Sequence, residues 1–317
     1  MTTTGAALGR EWRDWWHGLG AAARWWPGLG ALGFLTAHAV LGGLRPDHGW
    51  LAGVVLAGYY AGPRARPLFL FFLPILIVGS VYDAQRYWAG ALRAGVRVAE
   101  PYRWELSWFG IFAGDHLVTP ARWLQGHTYA GLDLVCGAAY LLFIPVFFAV
   151  SGWWCFKAKL PGSDLVMWAM LWLNLIAYAV YLAYPAAPPW YVDHYGLGPA
   201  VLSAAPEAAG AARFDALLGV HWFAGYYGRN ANVFGAIPSL HVGQTFLAVL
   251  YAWQFRSLRG FATGFWLLVF FSSVYLNHHY VVDGLAGMAL ALGVWAVLRR
   301  PVGRQGPAAT RASSACQ

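Results

Sequence analysis

Long stretches almost free of charged side chains constrain this chain more than any other feature of its sequence. A membrane-spanning α-helix needs about 20 predominantly apolar residues. Apolar stretches of about this length fall at about 68–88, 129–154, 164–183, 238–256, 260–277 and 280–298. Only 11% of the 317 residues are charged, whereas a soluble domain carries about 25%. The pattern predicts an all-α polytopic membrane protein with a core of six transmembrane helices.

The N-terminal part of the chain is apolar in shorter runs, at about 28–45 and 49–62. Both runs are short for a membrane span, so we expect a tight membrane hairpin. Residues 10–27 mix arginine with tryptophan, which favours a segment lying along the membrane surface. The predicted parts are an interfacial segment with the hairpin at 1–67, a six-helix core at 68–298 and a cytoplasmic tail at 299–317.

The net charge of +8 is distributed unevenly between the two ends of the predicted helices. If the N-terminus is cytoplasmic and the helices alternate, most basic residues near helix ends fall on the cytoplasmic side, as the positive-inside rule requires. These are Arg10, Arg13, Arg24, Arg64, Arg66, Lys157, Lys159, Arg256, Arg259, Arg299 and Arg300. Both termini are then cytoplasmic. Such charge is a topology signal and attracts anionic lipid, so we expect a membrane environment and no nucleic-acid partner.

Two short polar motifs stand where two of the predicted helices begin. The first is Gly235–His241 (GAIPSLH) and the second is Asn277–Asp283 (NHHYVVD). His279 and Asp283 are four residues apart, so on a helix they share one face and the carboxylate can orient the imidazole as a nucleophile or base. One antiparallel helix pair separates His241 from His279. Both histidines are therefore expected on the same, extracytoplasmic side of the membrane.

The first motif also predicts an anion site. Pro238 fits the first turn of a helix, so the N–H groups of Ser239, Leu240 and His241 are expected to point at a phosphate at the positive end of the helix dipole. His241 then stands beside the phosphate as a proton donor, and His279 as the attacking imidazole. This arrangement favours phosphoryl or phosphodiester transfer through a phosphohistidine, with no metal and no other cofactor.

Residues 238–241 (PSLH) and 279–283 (HYVVD) resemble the second and third signatures of the type 2 phosphatidic acid phosphatase superfamily. The resemblance implies that His279 is the nucleophile, that Asp283 orients it, and that His241 protonates the leaving oxygen. Two features depart from the phosphatases. No KxxxxxxRP signature precedes Pro238, and Ser273 stands six residues before His279, where the phosphatases have arginine.

The segments Tyr184–Tyr191 (YPAAPPWY) and Tyr275–Tyr280 (YLNHHY) resemble instead the inositol phosphorylceramide synthase branch of that superfamily. This resemblance covers about residues 68–298. It implies transfer of phosphoinositol from phosphatidylinositol to ceramide, giving inositol phosphorylceramide and diacylglycerol, so the expected partners are these lipids. A phosphodiester carries one negative charge where a phosphomonoester carries two, which agrees with the missing basic residues.

Further polar and aromatic residues are candidates for substrate binding, and each also has a structural interpretation. Arg86 can pair with Asp83 on its own helix, and Asp133 can serve as a polar partner for a neighbouring helix. On a helix, His278 points about 100° away from His279, which favours packing over catalysis. The candidate set is Ser239, Tyr184, Trp190, Tyr191, Arg86, Arg229, His278 and Asp133.

Three other functions fit parts of the pattern. A lipid phosphatase could use the same residues with water as acceptor, acting on a phospholipid or an isoprenoid pyrophosphate. An intramembrane hydrolase could hold zinc with His241, His278, His279 and Asp283, although neighbouring histidines on a regular helix point apart. A transporter or channel also places ionisable residues within the membrane.

Overall fold

The computed structural model describes residues 2–88, 95–228, 230 and 232–299, and these divide into two compact units, with the boundary along the chain between Ile77 and Val78. The first unit contains α1 (Thr2–Gly18), α2 (Ala21–Val40), α3 (Pro46–Tyr60) and the beginning of α4 (Arg66–Ala84). Hydrogen bonds connect these helices: Trp12 Nε1 donates to the carbonyl of Tyr60 over 2.8 Å, and the Tyr60 hydroxyl donates to the carbonyl of Arg24 over 2.6 Å.

The helices α2 and α3 occupy the region where the sequence predicts a membrane hairpin, but α2 begins earlier than the apolar run predicts. Pro46 begins α3, where its missing N–H costs no hydrogen bond. With 15 residues, α3 is about 22 Å long, shorter than the roughly 30 Å of a bilayer's hydrocarbon core. Whether this pair spans the membrane stays a prediction.

Four helical segments among the described residues are long and apolar enough to cross a membrane. Two of them coincide with the helices α8 (Asp164–Ala183) and α14 (Val281–Leu298). The other two contain α4 and α7 (Ala130–Gly152) and are slightly longer than these helices. A 3₁₀ turn extends α4 to Tyr87, and a π-helical turn extends α7 to Lys157. These segments make the chain an integral membrane protein.

Two further helices, α12 (Leu240–Phe255) and α13 (Arg259–Tyr275), are apolar but have only 16 and 17 residues. They connect the two motif regions, since Ser239 caps the start of α12 and α13 ends just before Asn277. The predicted starts and ends of α7, α8, α12, α13 and α14 lie within a few residues of the observed ones.

The helices α12 and α14 pack with their backbones in close approach. A Cβ added at Gly287 of α14 would overlap the carbonyl oxygen of Ser239, and one added at Gly243 would lie 3.0 Å from the carbonyl oxygen of Gly287. Small residues permit this kind of approach between membrane helices. On another side of α12, Gln244 Nε2 donates to Asn174 Oδ1 of α8 over 3.0 Å. The glycine contacts fix where α12 and α14 begin relative to each other, and the Gln244–Asn174 hydrogen bond joins α12 to α8.

The insertion at 89–128, which follows α4, contains regular structure in its described part. It forms α5 (Ala99–Phe109), a two-stranded antiparallel hairpin of β1 (Ile111–Ala113) and β2 (His116–Val118), and α6 (Pro120–Gln125). Thr119 caps α6, because its hydroxyl accepts a hydrogen bond from the N–H of Arg122.

The described part of a second insertion, 185–236, carries three short α-helices: α9 (Pro189–Tyr195), α10 (Ala212–Leu218) and α11 (Trp222–Tyr227). Parallel backbone bridges join Arg97 to Ala186 and Ala186 to Gly235. The two long insertions therefore meet each other, and the segment that leads into the first motif belongs to this junction.

Candidate active site

His241, His279 and Asp283 come together in the second unit, at the starts of α12 and α14. His241 Nδ1 lies 3.4 Å from His279 Nε2, and His279 Nδ1 lies 3.4 Å from Asp283 Oδ2. His279 and Asp283 are both buried. The carboxylate thus contacts one ring nitrogen of His279 while the other faces His241. This is the relation of an orienting group to a nucleophile or base.

The backbone around this pair differs from the predicted helix. His279 lies in the turn before α14, which begins only at Val281, because Asp283 Oδ2 accepts a hydrogen bond from the N–H of Tyr280 and caps the helix. The shared helical face assumed for His279 and Asp283 is therefore wrong, although their side chains meet. The assumed 100° separation of His278 from His279 fails for the same reason.

The turn itself is shaped by two residues. Asn277 has a left-handed conformation (φ 62°), which asparagine adopts more readily than most residues. The carbonyl of Ser273 accepts the N–H groups of both His278 (3.1 Å) and His279 (3.0 Å). Ser273, which stands where the phosphatases have arginine, is fully buried in this turn.

The start of α12 corrects the predicted anion site in part. The helix begins at Leu240, so Pro238 precedes its first turn, and Ser239 is the N-cap whose hydroxyl accepts from the N–H of Val242 over 3.4 Å. The N–H of Ser239 donates to the carbonyl of Asp283 over 2.9 Å and is not free for a phosphate. The N–H groups of Leu240 and His241 remain as the first-turn donors of this helix.

Tyr140 of α7 is a site residue that sequence reasoning missed. Its hydroxyl oxygen lies 3.0 Å from His241 Nδ1, and its ring stacks on the imidazole with centroids 3.9 Å apart and planes 13° apart. Phe143 contacts the same imidazole, with centroids 4.4 Å apart. Both residues lie in the middle of an apolar helix, where nothing in the local sequence distinguishes them from packing residues.

His278 packs between α7 and α11, and its ring nitrogens are not hydrogen-bonded to His241. Its ring stacks on Tyr140 (5.2 Å between centroids) and on Tyr227 of α11 (4.5 Å). Burial lowers the pKa of His278 to about 3, and the neighbouring His279 acts in the same direction. His278 is therefore neutral at physiological pH, which agrees with the packing role that the sequence favours.

Asp133 and Arg86 both have charged partners. Asp133 Oδ1 accepts from Arg213 Nε over 2.6 Å and from the Tyr275 hydroxyl over 3.0 Å. Arg86 pairs with the carboxylate of Asp83, three residues before it, as its structural interpretation predicts. The remaining basic candidate, Arg229, lies outside the described residues.

The aromatic candidates lie in the junction of the two insertions. Trp190 and Tyr191 are buried in one apolar cluster with Val98 and Phe234. The Tyr191 hydroxyl accepts from the N–H of Val201 over 2.6 Å. Tyr184, which follows α8, does not belong to this cluster. Its ring stacks on the half-exposed Trp104 of α5, with planes 5° apart. These contacts are those of packing residues beside the site.

Glu105 of α5 is a second residue that the sequence did not reveal. Its fully buried carboxylate accepts hydrogen bonds from the N–H groups of Val281 (3.0 Å) and Val282 (3.1 Å), at the start of α14. Burial raises the pKa of Glu105 to about 7, and the nearby charge of Asp283 adds to this, although the two N–H groups favour the charged form. Glu105 thus connects α5 to the helix that carries Asp283.

Comparison with known proteins places these residues in a family. A model of the PAP2 superfamily matches residues 109–297. The phosphoinositol dihydroceramide synthase of Bacteroides thetaiotaomicron is 36% identical over 271 residues, which are 83% of this chain and 87% of that protein. No solved structure gives a significant match.

Fungal relatives share shorter regions. The inositol phosphorylceramide synthase catalytic subunit of Schizosaccharomyces pombe is 37% identical over 42% of this chain and 32% of its own length. That of Saccharomyces cerevisiae is 29% identical over 72% of this chain and 56% of its own length. This chain thus spans about half or less of the fungal proteins. Taken with the motif residues at the starts of α12 and α14, these matches show that the chain belongs to the PAP2 superfamily, in the branch of the inositol phosphorylceramide synthases.

Proposed function

We propose that this protein transfers phosphoinositol from phosphatidylinositol to the primary hydroxyl of ceramide or dihydroceramide, releasing diacylglycerol. The activities after which its relatives are named support this reaction. The observation that carries the proposal is the arrangement of three side chains: His279 has Asp283 at one ring nitrogen and His241 at the other, 3.4 Å away in each case. This is the arrangement that a covalent phosphohistidine mechanism needs.

In the first half-reaction, His279 Nε2 attacks phosphorus while His241 protonates the glycerol oxygen, so a nitrogen–phosphorus bond forms and diacylglycerol leaves. In the second, the ceramide hydroxyl attacks phosphorus, His241 takes up its proton, and the nitrogen–phosphorus bond breaks. Asp283 contacts His279 Nδ1 throughout and stabilises the positive charge that the ring gains. No net proton is consumed.

Substrate entry requires the two histidines to separate. A nucleophile approaches phosphorus to about 3 Å and a proton donor stands about 3 Å from the leaving oxygen. Two nitrogens that flank a bound phosphodiester are therefore about 6 Å or more apart, compared with 3.4 Å between His241 and His279 here. The phosphodiester takes the place of the direct contact between the two rings.

Few unpaired cations lie near the site in the described part of the chain, which favours a phosphodiester substrate over a phosphomonoester. Among the described residues, Arg86 is paired with Asp83 and Arg213 with Asp133. A phosphomonoester dianion loses more hydration energy on entering the site than a phosphodiester monoanion does, so it needs more positive charge around it. The small number of unpaired cations therefore favours the transferase over a phosphatase that uses the same nucleophile.

We infer that six helices cross the membrane, α4, α7, α8, α12, α13 and α14, with both termini in the cytoplasm. The distribution of basic residues near helix ends supports this orientation. The starts of α12 and α14 then open on the extracytoplasmic side. Both lipid substrates enter laterally from the outer leaflet, since their acyl chains stay in the bilayer.

The experiment that tests this function is a product assay with purified protein in mixed micelles and phosphatidylinositol labelled in its head group. With ceramide present, we expect labelled inositol phosphorylceramide, and with ceramide omitted, little release of labelled inositol phosphate. The His279→Ala variant should form neither product. The exposed His116 of the hairpin provides the matched control, since His116→Ala should keep full activity. Rapid release of inositol phosphate that ceramide does not suppress would identify a phosphatase instead.

A further inference from the structure

Two aromatic side chains of α7 contact the imidazole of His241. Its ring stacks on Tyr140 and makes a tilted contact with Phe143. Tyr140 also stacks on His278. Tyr140 is buried, and its hydroxyl is within hydrogen-bond distance of His241 Nδ1, at 3.0 Å. The same nitrogen faces His279 Nε2 at 3.4 Å.

These distances determine where the proton of His241 resides. A nucleophilic His279 keeps its lone pair on Nε2, because its N–H is on Nδ1 beside Asp283. Two lone pairs facing each other across 3.4 Å repel, so His241 Nδ1 carries the hydrogen, which lies within reach of both His279 Nε2 and the Tyr140 oxygen. A neutral imidazole carries a single N–H on one of two nitrogens. An acceptor beside Nδ1 biases the proton towards that nitrogen, and the Tyr140 oxygen is such an acceptor.

We propose that Tyr140 is a positioning residue for acid catalysis in the proposed transfer, on which this inference rests. Its ring orients the imidazole of His241, and its hydroxyl keeps the transferable proton on Nδ1, the nitrogen that faces the nucleophile.

A hydroxyl suits both halves of the reaction because it can accept and donate. Before transfer, the Tyr140 oxygen accepts from His241 Nδ1–H. When that proton passes to the glycerol oxygen and the phosphorus–oxygen bond breaks, the hydroxyl rotates and donates to the bare Nδ1. When His241 takes the proton of the ceramide hydroxyl, the hydroxyl returns to accepting. Tyr140 itself neither gains nor loses a proton.

The test separates acid catalysis from packing by changing the leaving group. Tyr140→Phe keeps the ring and removes only the hydroxyl. With phosphatidylinositol, whose leaving alkoxide needs a proton, we expect the transfer rate to fall about 10-fold. With an inositol phosphodiester of p-nitrophenol, whose leaving group departs as a stable anion, we expect the release of nitrophenolate in the first turnover, before the second half-reaction, to stay near the wild-type rate.

Two variants complete the comparison. Tyr178→Phe removes another buried hydroxyl, which bonds Asn174 within α8, and should leave both rates unchanged. His279→Ala should lose both rates, because the nucleophile is needed for either leaving group. If Tyr140→Phe folds poorly, 3,5-difluorotyrosine at position 140 preserves the ring and hydroxyl but weakens the oxygen as an acceptor. It should produce a smaller loss, again with phosphatidylinositol only.

The outcomes are distinct. An equal loss of both rates in Tyr140→Phe would show a purely structural role and overturn the inference, as would no loss with either substrate. Wild-type protein that processes the nitrophenyl diester but never forms inositol phosphorylceramide would contradict the proposed function itself. The expected pattern is a loss confined to the substrate with the poor leaving group.

Discussion

At the scale of single residues, Asp283 serves two neighbours with one oxygen. Its Oδ2 accepts from the N–H of Tyr280 over 2.8 Å and lies 3.4 Å from His279 Nδ1. The first contact determines where α14 begins, and the second orients the candidate nucleophile. Substitutions at Asp283 therefore affect both helix capping and chemistry, and a suitable variant can separate the two.

Asp283→Asn is that variant. Its amide oxygen can still accept from the Tyr280 N–H, but the uncharged group no longer stabilises a positively charged His279. We expect the transfer rate to fall by roughly 10²–10⁴, with a smaller loss of thermal stability than in Asp283→Ala. Initial rates and melting temperatures of both variants test this. Equal melting temperatures combined with a nearly normal rate in Asp283→Asn would argue against the orienting role.

At the scale of elements, two features determine the position of α14. One is the close contact of its Gly287 with the backbone of Ser239 and Gly243 at the start of α12. The other is the carboxylate of Glu105, which bonds the N–H groups of Val281 and Val282 from the neighbouring helix α5. Both lie within one or two turns of Asp283, so small shifts in either should change the geometry of the site.

Gly287→Ala tests the helix contact. The added methyl group meets backbone atoms that cannot rotate away, so α14 must shift, at a cost of about 1–3 kcal/mol of stability. We expect a lower melting temperature and a lower transfer rate. Gly293→Ala on the same helix is the matched control, because its Cβ meets nothing within 4 Å. Equal behaviour of the two variants would mean that this contact does not position the site.

Glu105 gives a prediction about pH. Its pKa is raised by burial from an ordinary 4.5 to about 7, so folding takes up a proton between these values. The contribution of protonated Glu105 to the free energy of unfolding is complete below about pH 4.5 and is lost as the pH rises through about 7. The loss is on the order of 1–3 kcal/mol. Glu105→Gln, which cannot ionise, should lack this loss.

The measurement compares melting temperatures of the wild type and Glu105→Gln in the same detergent between pH 5 and pH 8. We expect the two to converge near pH 5 and the wild type to fall below the variant as the pH rises. A difference that stays constant over this range would show that Glu105 does not titrate there.

At the scale of the whole molecule, the proposed orientation places the C-terminal end of α7 on the cytoplasmic side of the membrane and that of α8 on the extracytoplasmic side. Cysteine substitutions at exposed positions test it. Leu197→Cys, in the loop after α9, should react with an impermeant thiol reagent in intact cells, and Ala158→Cys, after α7, should react only once the cells are opened. Labelling of the native cysteines is measured separately and subtracted. The reverse pattern would move the reaction to the cytoplasmic leaflet.

The sequence by itself determined the helices of the core and the motif residues. Apolar length is a local property, and a bilayer requires each spanning segment to satisfy its own backbone hydrogen bonds, so α8 was predicted at its observed bounds, Asp164–Ala183. The spacing of His279 and Asp283 is local too. Its helical interpretation was wrong because the carboxylate caps α14, and a cap depends on which N–H groups the side chain reaches.

Only the tertiary structure decided what surrounds the histidines. Tyr140 is 101 residues from His241 along the chain, and Glu105 is 176 residues from Val281. In the sequence, the first is one aromatic residue of an apolar helix and the second one acid of a polar insertion. Their contacts arise when helices and loops distant in sequence pack together. Spacing along a single element carries no information about that packing, so the identity of these two residues followed from the fold alone.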